Sequence, residues 1–357
     1  MERKKTPTMN SLSQIAWSKF KKDILGVSAL CAIVLAVVVS IFGYHIFPDS
    51  SPYANQMHLE LSKQPPGFEV DIILIPKSDV ESVSFFEKTI YGQENPFKEI
   101  PISEYREVDG QLYYSSFGTD YEQLLQYDNY TLINRCYTLG TDSFGRDLLS
   151  RILCGTRVSL SVGFIAVLIS LIIGITLGAM AAYFRGKVDA VIMWLVNVVW
   201  SIPTLLMVIA ISLALGKGFW QVFVAVGLTM WVEVARIVRG EVLSIREKEY
   251  VEAAQSLGFG HFRIIFKHIL PNVMGAVIVI SAANFASAIL IESGLSFLGI
   301  GAQPPMPSWG TMIKDHYAYI VMGKSYLAIF PGLAIMYLVL SFVLVGNALR
   351  DALDVRH

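Results

Sequence analysis

Residues 249–272 read EYVEAAQSLGFGHFRIIFKHILPN, a stretch of acids, bases and two histidines in a chain that is otherwise strongly apolar. Good helix formers run from Ile245 to Leu257, and Gly258 and Gly260 then permit the left-handed or strained backbone that ends one helix and turns the chain. A second helix is expected through 261–269, with Phe262, Ile265, Phe266 and Ile269 at helical spacing and Pro271 as its stop. On the first helix Ala253 and Ala254 leave a shallow surface that another protein can approach closely. Glu249 and Glu252 supply charge to position it. The chemistry that this pattern supports is docking. Nucleotide hydrolysis within the chain is not expected, because no G-x-x-x-x-G-K-[ST] phosphate loop occurs. The nearest candidate, Gly216-Lys217-Gly218, lacks the upstream glycine and the hydroxyl residue. No metal site is expected either: Cys31, Cys136 and Cys154 show neither metal-ligand spacing nor a disulfide framework, and a Cys136–Cys154 bridge is disfavoured.

The elements that position this stretch follow from composition. The chain has 357 residues, 54% hydrophobic and 16% charged, with a net charge of -1, more apolar than a soluble domain. Net charge argues neither for nucleic acid nor for an acidic ligand. Uncharged runs long enough to cross hydrocarbon about 30 Å thick lie at 24–47, 158–184, 190–215, 273–291 and 325–349. The first lacks a cleavage site and reads as a retained anchor. A sixth run, 219–238, is broken near its end by Glu233 and Arg236. Short flanks rich in Lys and Arg stay in the cytoplasm. These are the N-terminus (Arg3, Lys4, Lys5, Lys19, Lys21, Lys22), the turn with Arg185 and Lys187, and the loop with Arg236, Arg239, Arg246, Lys248, Arg263 and Lys267. Only six spans with both termini inside put all three on one side, so the expected fold is an all-α polytopic membrane protein.

Other ionisable residues have competing readings. Glu292 follows nineteen uncharged residues and reads as a translocation-path acid or as a structural acid bonded to a neighbouring helix. Glu233 and Arg236 read as an ion pair at the inner end of the fourth span. Pro203 and Pro331 are expected to kink spans three and six. Before span two, Asp142 or Ser143 caps a helix with Leu148, Leu149, Ile152 and Leu153 on one face and Arg146, Asp147, Ser150 and Arg151 opposite. That helix is expected to lie along the membrane surface and to turn into the span near Val158. It is either a structural elbow or a gating element in which Arg146 meets substrate or partner. After span five, Pro304, Pro305, Pro307 and Trp309 form a stiff, interface-suited segment.

Residues 48–138 form a small α+β insertion, with "FEVDIILIP" as a strand, a hairpin turn at Asp109-Gly110 and a short helical run near 121–127. It reads as extracytoplasmic, and serves as a cap, a docking surface or a passive insertion.

The pattern Glu252-Ala253-Ala254, Gly258, Leu270-Pro271 resembles the EAA loop of permease subunits in binding-protein-dependent ABC importers, with His268 where that pattern usually carries an apolar residue. "KHILPN", "GTDSFGRDLLSRILCGTRVSLSVG" (140–163) and "ESGLSFLGIGAQPPMPSWG" (292–310) are similar to the dipeptide, oligopeptide and nickel import branch. The resemblance covers about 139–353. It implies a type I importer permease fold in three parts: residues 1–47 as N-terminus and first helix, the insertion 48–138, and a five-helix core 139–353 with a coupling loop at 240–271. It implies an inner-membrane, multi-pass permease of a bacterial cytoplasmic membrane that transports peptides and is not itself an enzyme. The implied partners are a second homologous permease, two ATPase subunits that bind ATP and Mg, and an extracytoplasmic solute-binding protein. Glu252, Ala253, Ala254, Gly258, Leu270 and Pro271 become the ATPase-coupling residues, and Arg146 and Glu292 possible pathway or gating residues. The competing class is a stand-alone secondary carrier or channel. It predicts paired intramembrane ionisable residues or inverted broken helices, and the sequence offers neither.

Overall fold

A computed structural model describes residues 12–78, 83–127, 129–216 and 218–353. Arg3, Lys4, Lys5 and Lys217 lie outside the described residues. Helices α1 (Leu12–Phe20) and α2 (Ile24–Ile46) open the chain, and α3 (Phe85–Tyr91) sits among five strands: β1 (Phe68–Pro76), β2 (Phe97–Val108), β3 (Gln111–Ser116), β4 (Glu122–Leu124) and β5 (Thr131–Tyr137). Then follow α4 (Leu148–Phe184), α5 (Gly186–Trp200), α6 (Thr204–Leu215), α7 (Phe219–Arg246), α8 (Glu249–Ser256), α9 (His261–Ile264), α10 (Leu270–Phe297), α11 (Trp309–His316) and α12 (Tyr326–Leu353). Among the described residues five helices are long and apolar enough to cross a membrane, or six if α5 and α6 count as one span bent by 91°. This is a helical membrane protein.

Two helices differ from the sequence expectation, and a third bears it out. The second span does not turn at Val158: α4 is continuous over 37 residues, roughly 55 Å at about 1.5 Å per residue. Its first turns are polar enough to escape a hydropathy scan, yet Arg151 and Ser150 are buried by protein. The third span, read as one run, is two helices broken before Pro203, whose missing N–H cannot continue the ladder. Conversely the fourth span, doubtful because of Glu233 and Arg236, is an unbroken helix of 28 residues.

The chain divides into two compact units, residues 1–35, 161–292 and 336–357 in one, 36–160 and 293–335 in the other. In the first, Val234 and Val238 of α7 pack on Ala179 and Ala182 of α4. Gly174 and Gly178 of α4 allow the two backbones to meet, since a Cβ on either would strike Val234 or the Ala235 carbonyl. Small residues four apart are the membrane solution to close helix approach.

The second unit contains a five-stranded antiparallel sheet of order β4-β3-β2-β1-β5. β1 is an interior strand, between β2 and β5, and buries side chains toward both faces: Ile73 and Ile75 pack with Ile102 and Leu112, and Val70 and Ile72 with Leu61 and Tyr137. The apolar run 72–75 fits a strand buried on both faces. Asp109 (φ 52°) and Gly110 (φ 76°) form the two-residue hairpin between β2 and β3. The helical run expected near 121–127 is instead the edge strand β4, because pairing with β3 outweighs local preference. Cys136 is exposed and Cys154 buried, and neither is in a disulfide.

One ion cluster ties this sheet together. Glu99 on β2 accepts from Arg135 of β5 at 2.6 and 2.7 Å, from Asn95 at 2.7 Å, and pairs with His58 at 3.0 Å. Burial raises the Glu99 pKa, and the bonds from His58 and Arg135 outweigh it, holding the carboxyl down at about 2. A depressed carboxylate stabilises the fold above its unfolded pKa, and that contribution disappears as pH falls through the folded value. Glu99→Gln should therefore cost about 3 kcal/mol at neutral pH, since it leaves the half-buried Arg135 guanidinium without its carboxylate. Hydrogen exchange of β1 and β5 in the detergent-solubilised chain should rise in the variant at pH 7, and in wild type only between about pH 4 and pH 2.

Candidate functional site

The polar stretch leaves the spans as a rigid elbow. On α8, Val251 and Ala254 are three apart and both face inward, packing with Val242 and Ile245 of α7, Ile264 of α9 and Val273 of α10. Glu249, Glu252, Ala253 and Gln255 face out. The pairing of Ala253 with Ala254 on one docking face is thus corrected: successive helical residues diverge by roughly 100°, and Ala254 is 4% exposed in the core. The helix ends on a Schellman turn, with Phe259 N–H bonded to the Ala254 carbonyl at 3.2 Å and Gly258 N–H to the Gln255 carbonyl at 2.9 Å. Gly258 has φ +78° and open space where a Cβ would stand. Backbone handedness, not crowding, reserves this position for glycine.

The second helix does not stop at Pro271. Residues 261–297 form one continuous helical path through a π-helical turn, Ile265–Ile269, in which Leu270 N–H reaches the Ile265 carbonyl. The wider turn frees the chain from the bond that Pro271 cannot donate and from the clash its ring would cause. Leu270 is half-buried and Pro271 exposed. His268 stacks on Phe259, with ring centroids 6.0 Å apart, so it packs the elbow where an apolar residue was expected.

Polar ties brace the spans that carry the elbow, and one of them, Tyr183–His261, reaches the elbow itself. Arg239 of α7 grips Asp189 of α5 through two bonds of 2.6 Å, and Tyr183 of α4 bonds His261 at 2.9 Å. Arg185 and Glu247 meet at 2.8 Å, an exposed pair of little worth alone. Leu257, Phe262 and Phe266 are 72%, 80% and 63% exposed. Phe262 and Phe266 border a cleft with Met180 and Phe184 of α4, so the elbow displays large apolar side chains of the kind that mark interaction surfaces. The sequence missed Asp189–Arg239, since no spacing links residues on separate helices.

Of the two other candidates, Arg146 is 7% exposed. Its Nε donates to Asp142 at 2.7 Å and its NH1 to Asn55 at 2.9 Å. Asp142 also accepts from Phe144 and Arg146 N–H, forming the loop before α4. The helix cap itself is Asp147, which accepts from Ser150 N–H at 2.8 Å, in place of the expected Asp142 or Ser143. Trp309 Nε1 donates to the Ile152 carbonyl at 2.8 Å. His316 Nδ1 lies 2.7 Å from the Met312 carbonyl, which can only accept, so Nδ1 carries the proton and Nε2 accepts from Ser143. Burial lowers the pKa of His316 and keeps it neutral. The two sequence motifs at 140–163 and 292–310 therefore meet in one knot of side chains. Glu292 on α10 is 1% exposed. Glu233 and Arg236 are not an ion pair: the Arg236 guanidinium lies over the Trp200 ring at 3.7 Å, and Glu233 faces a cleft.

The geometry is that of a multi-span helical membrane protein that exposes a polar elbow between two of its spans. The family described as "Binding-protein-dependent transport system inner membrane component" matches residues 174–356, just over half the chain. The chain belongs to that family and is a permease subunit of an ABC importer. Among its relatives, a glutathione transport system permease protein of Pectobacterium atrosepticum is 44% identical over 216 residues, covering 60% of this chain and 71% of that protein. A dipeptide transport system permease protein of Bacillus subtilis is 43% identical over 215 residues, 60% of this chain and 67% of that one. The oligopeptide permease protein of the same organism is 39% identical, over 60% and 70%.

Proposed function

We propose that the chain forms half of the translocation pathway of an ATP-driven importer of dipeptides or oligopeptides in a bacterial inner membrane. The peptide class is supported by the names that its relatives carry, since glutathione, dipeptides and oligopeptides share the amide-linked backbone. Nickel complexes are the alternative cargo within the same resemblance. A second homologous permease completes the pathway in the type I arrangement. Two ATPase subunits bind ATP and Mg, and a solute-binding protein delivers cargo on the outer side. Both termini and the elbow 249–271 lie in the cytoplasm, and 48–138 lies outside, in keeping with the basic flanks.

The observation that carries the reading is the display of Glu252 and Ala253 on a helix whose opposite side, Val251 and Ala254, is locked into the span core. The ATPases engage the exposed face around Gly258, and Leu270 and Pro271 convey the motion into α10. Reconstitution tests this: the chain with its sister permease, ATPases and binding protein should accumulate a radiolabelled dipeptide only with ATP. Uptake by the purified chain alone on an ion gradient would instead identify a secondary carrier. Sidedness is read separately in a chain whose native cysteines are replaced. In spheroplasts Asp109→Cys should react with an impermeant thiol reagent and Gly258→Cys should not, and the reverse pattern would overturn the orientation.

A further inference from the structure

Between α5 and α6 the backbone leaves the helix inside an apolar segment, and no side chain caps the resumed helix. Irregular backbone at membrane depth survives where protein buries it or where it lines water. Here it lines a cleft of about 300 Å³ whose other walls come from α7 and α10, near the lower end of the range for small-molecule sites. Thr204 from the break, Thr229 and Glu233 from α7, and Ser287 from α10 place polar groups on a wall that Trp200 and Leu290 otherwise make apolar. Glu233 is near the middle of α7 and exposed to the cleft. Of the cations nearest in sequence, Arg236 stacks on Trp200, a wall of the same cleft, and Arg239 is held by Asp189. Among the described residues no ion pair closes on Glu233. An acid that opens into a cleft between spanning helices calls for water or a cation that arrives from elsewhere.

We propose that this cleft is a substrate subsite in which the Glu233 carboxylate receives the ammonium group of the passing peptide, while the hydroxyls of Thr204 and Ser287 bond its backbone. The assignment rests on the peptide-importer reading and adds to it a residue that contacts cargo. A carboxylate in this cleft would favour cargo with a free amino group over the same peptide without one.

The test compares uptake of a dipeptide and its N-acetylated form by the reassembled importer, wild type against Glu233→Gln and Glu233→Asp. The binding protein is the same throughout, so its own preference cancels in the ratio between variants. Glu233→Gln should lower uptake of the free-amine peptide at least tenfold and change that of the acetylated one less than twofold. Glu233→Asp should recover most of the loss, and ATPase stimulation by the binding protein should persist in both. Equal effects on the two peptides, or none, would overturn the subsite. Should wild type move neither peptide, the peptide reading is what fails, and a second arm reads the cleft by itself. In a cysteine-free chain, Ser287→Cys should react at least tenfold faster with a cationic thiosulfonate reagent than with an anionic one, and adding Glu233→Gln should bring the ratio near one. An unreactive thiol, or a ratio indifferent to Glu233, would refute the proposal.

Discussion

Ala253→Leu should leave the chain inserted and paired with its sister permease, yet lower ATPase co-purification and ATP-driven uptake at least tenfold. Ala253 is exposed on α8, so the added bulk meets nothing in the chain and fills only the space a partner would occupy. Gly258→Val should have the same outcome by another route. At φ +78° a branched side chain costs roughly 1–2 kcal/mol, and the turn between α8 and α9 relaxes by re-aiming both helices. Ala254→Leu separates docking from folding. Its side chain would press on Val251, Ile264 and Val273 in the span core, and overpacking there costs about 1–3 kcal/mol. That variant should lose thermal stability in detergent, and Ala253→Leu should not. Equal melting losses in both, or wild-type uptake with Ala253→Leu, would show that α8 does not present a docking face.

The second large effect is expected far from that loop. Gly145 has φ +70°, and a Cβ there would overlap the His58 carbonyl. The loop cannot retreat, because Phe144 N–H and Arg146 are held by Asp142 and His58 is held by Glu99. Gly145→Ala should cost about 3 kcal/mol or more, combining left-handed strain with a backbone collision, and should cut the yield of monodisperse chain at least tenfold. Gly118→Ala is the control: φ is +81° with open space around it, so it carries only about 1 kcal/mol of strain. Equal yields of the two variants would mean that the knot around Asp142 is not a rigid determinant of the fold.

What the sequence disclosed follows the range of the forces involved. The strand 68–76, the hairpin at Asp109-Gly110 and the turn at Gly258 depend on residues next to one another, and each stands where the pattern put it. Hydropathy found the apolar middle of α4 and α10 and lost their ends, because buried polar turns are helical for reasons that no transfer scale contains. The i,i+3 spacing of Glu233 and Arg236 suggested a pair, and Trp200 from another helix takes the guanidinium instead. Of the elbow, Glu252, Ala253 and Gly258 were readable as surface and turn. The inward aim of Ala254 follows from helix geometry alone and was open to the same reading. The brace Asp189–Arg239 joins α5 to α7 and leaves no local trace.

The central claim is that the face around Glu252 and Ala253 receives a separate ATPase. A photo-crosslinking residue placed at Ala253 in the assembled importer tests it most directly, with the same residue at Asp109 as the distant control. The account predicts an adduct between this chain and the ATPase subunit from position 253, weakened at least tenfold by Gly258→Val, and none from position 109. An ATPase adduct from position 109, or none from position 253 while the labelled importer still transports, would contradict it.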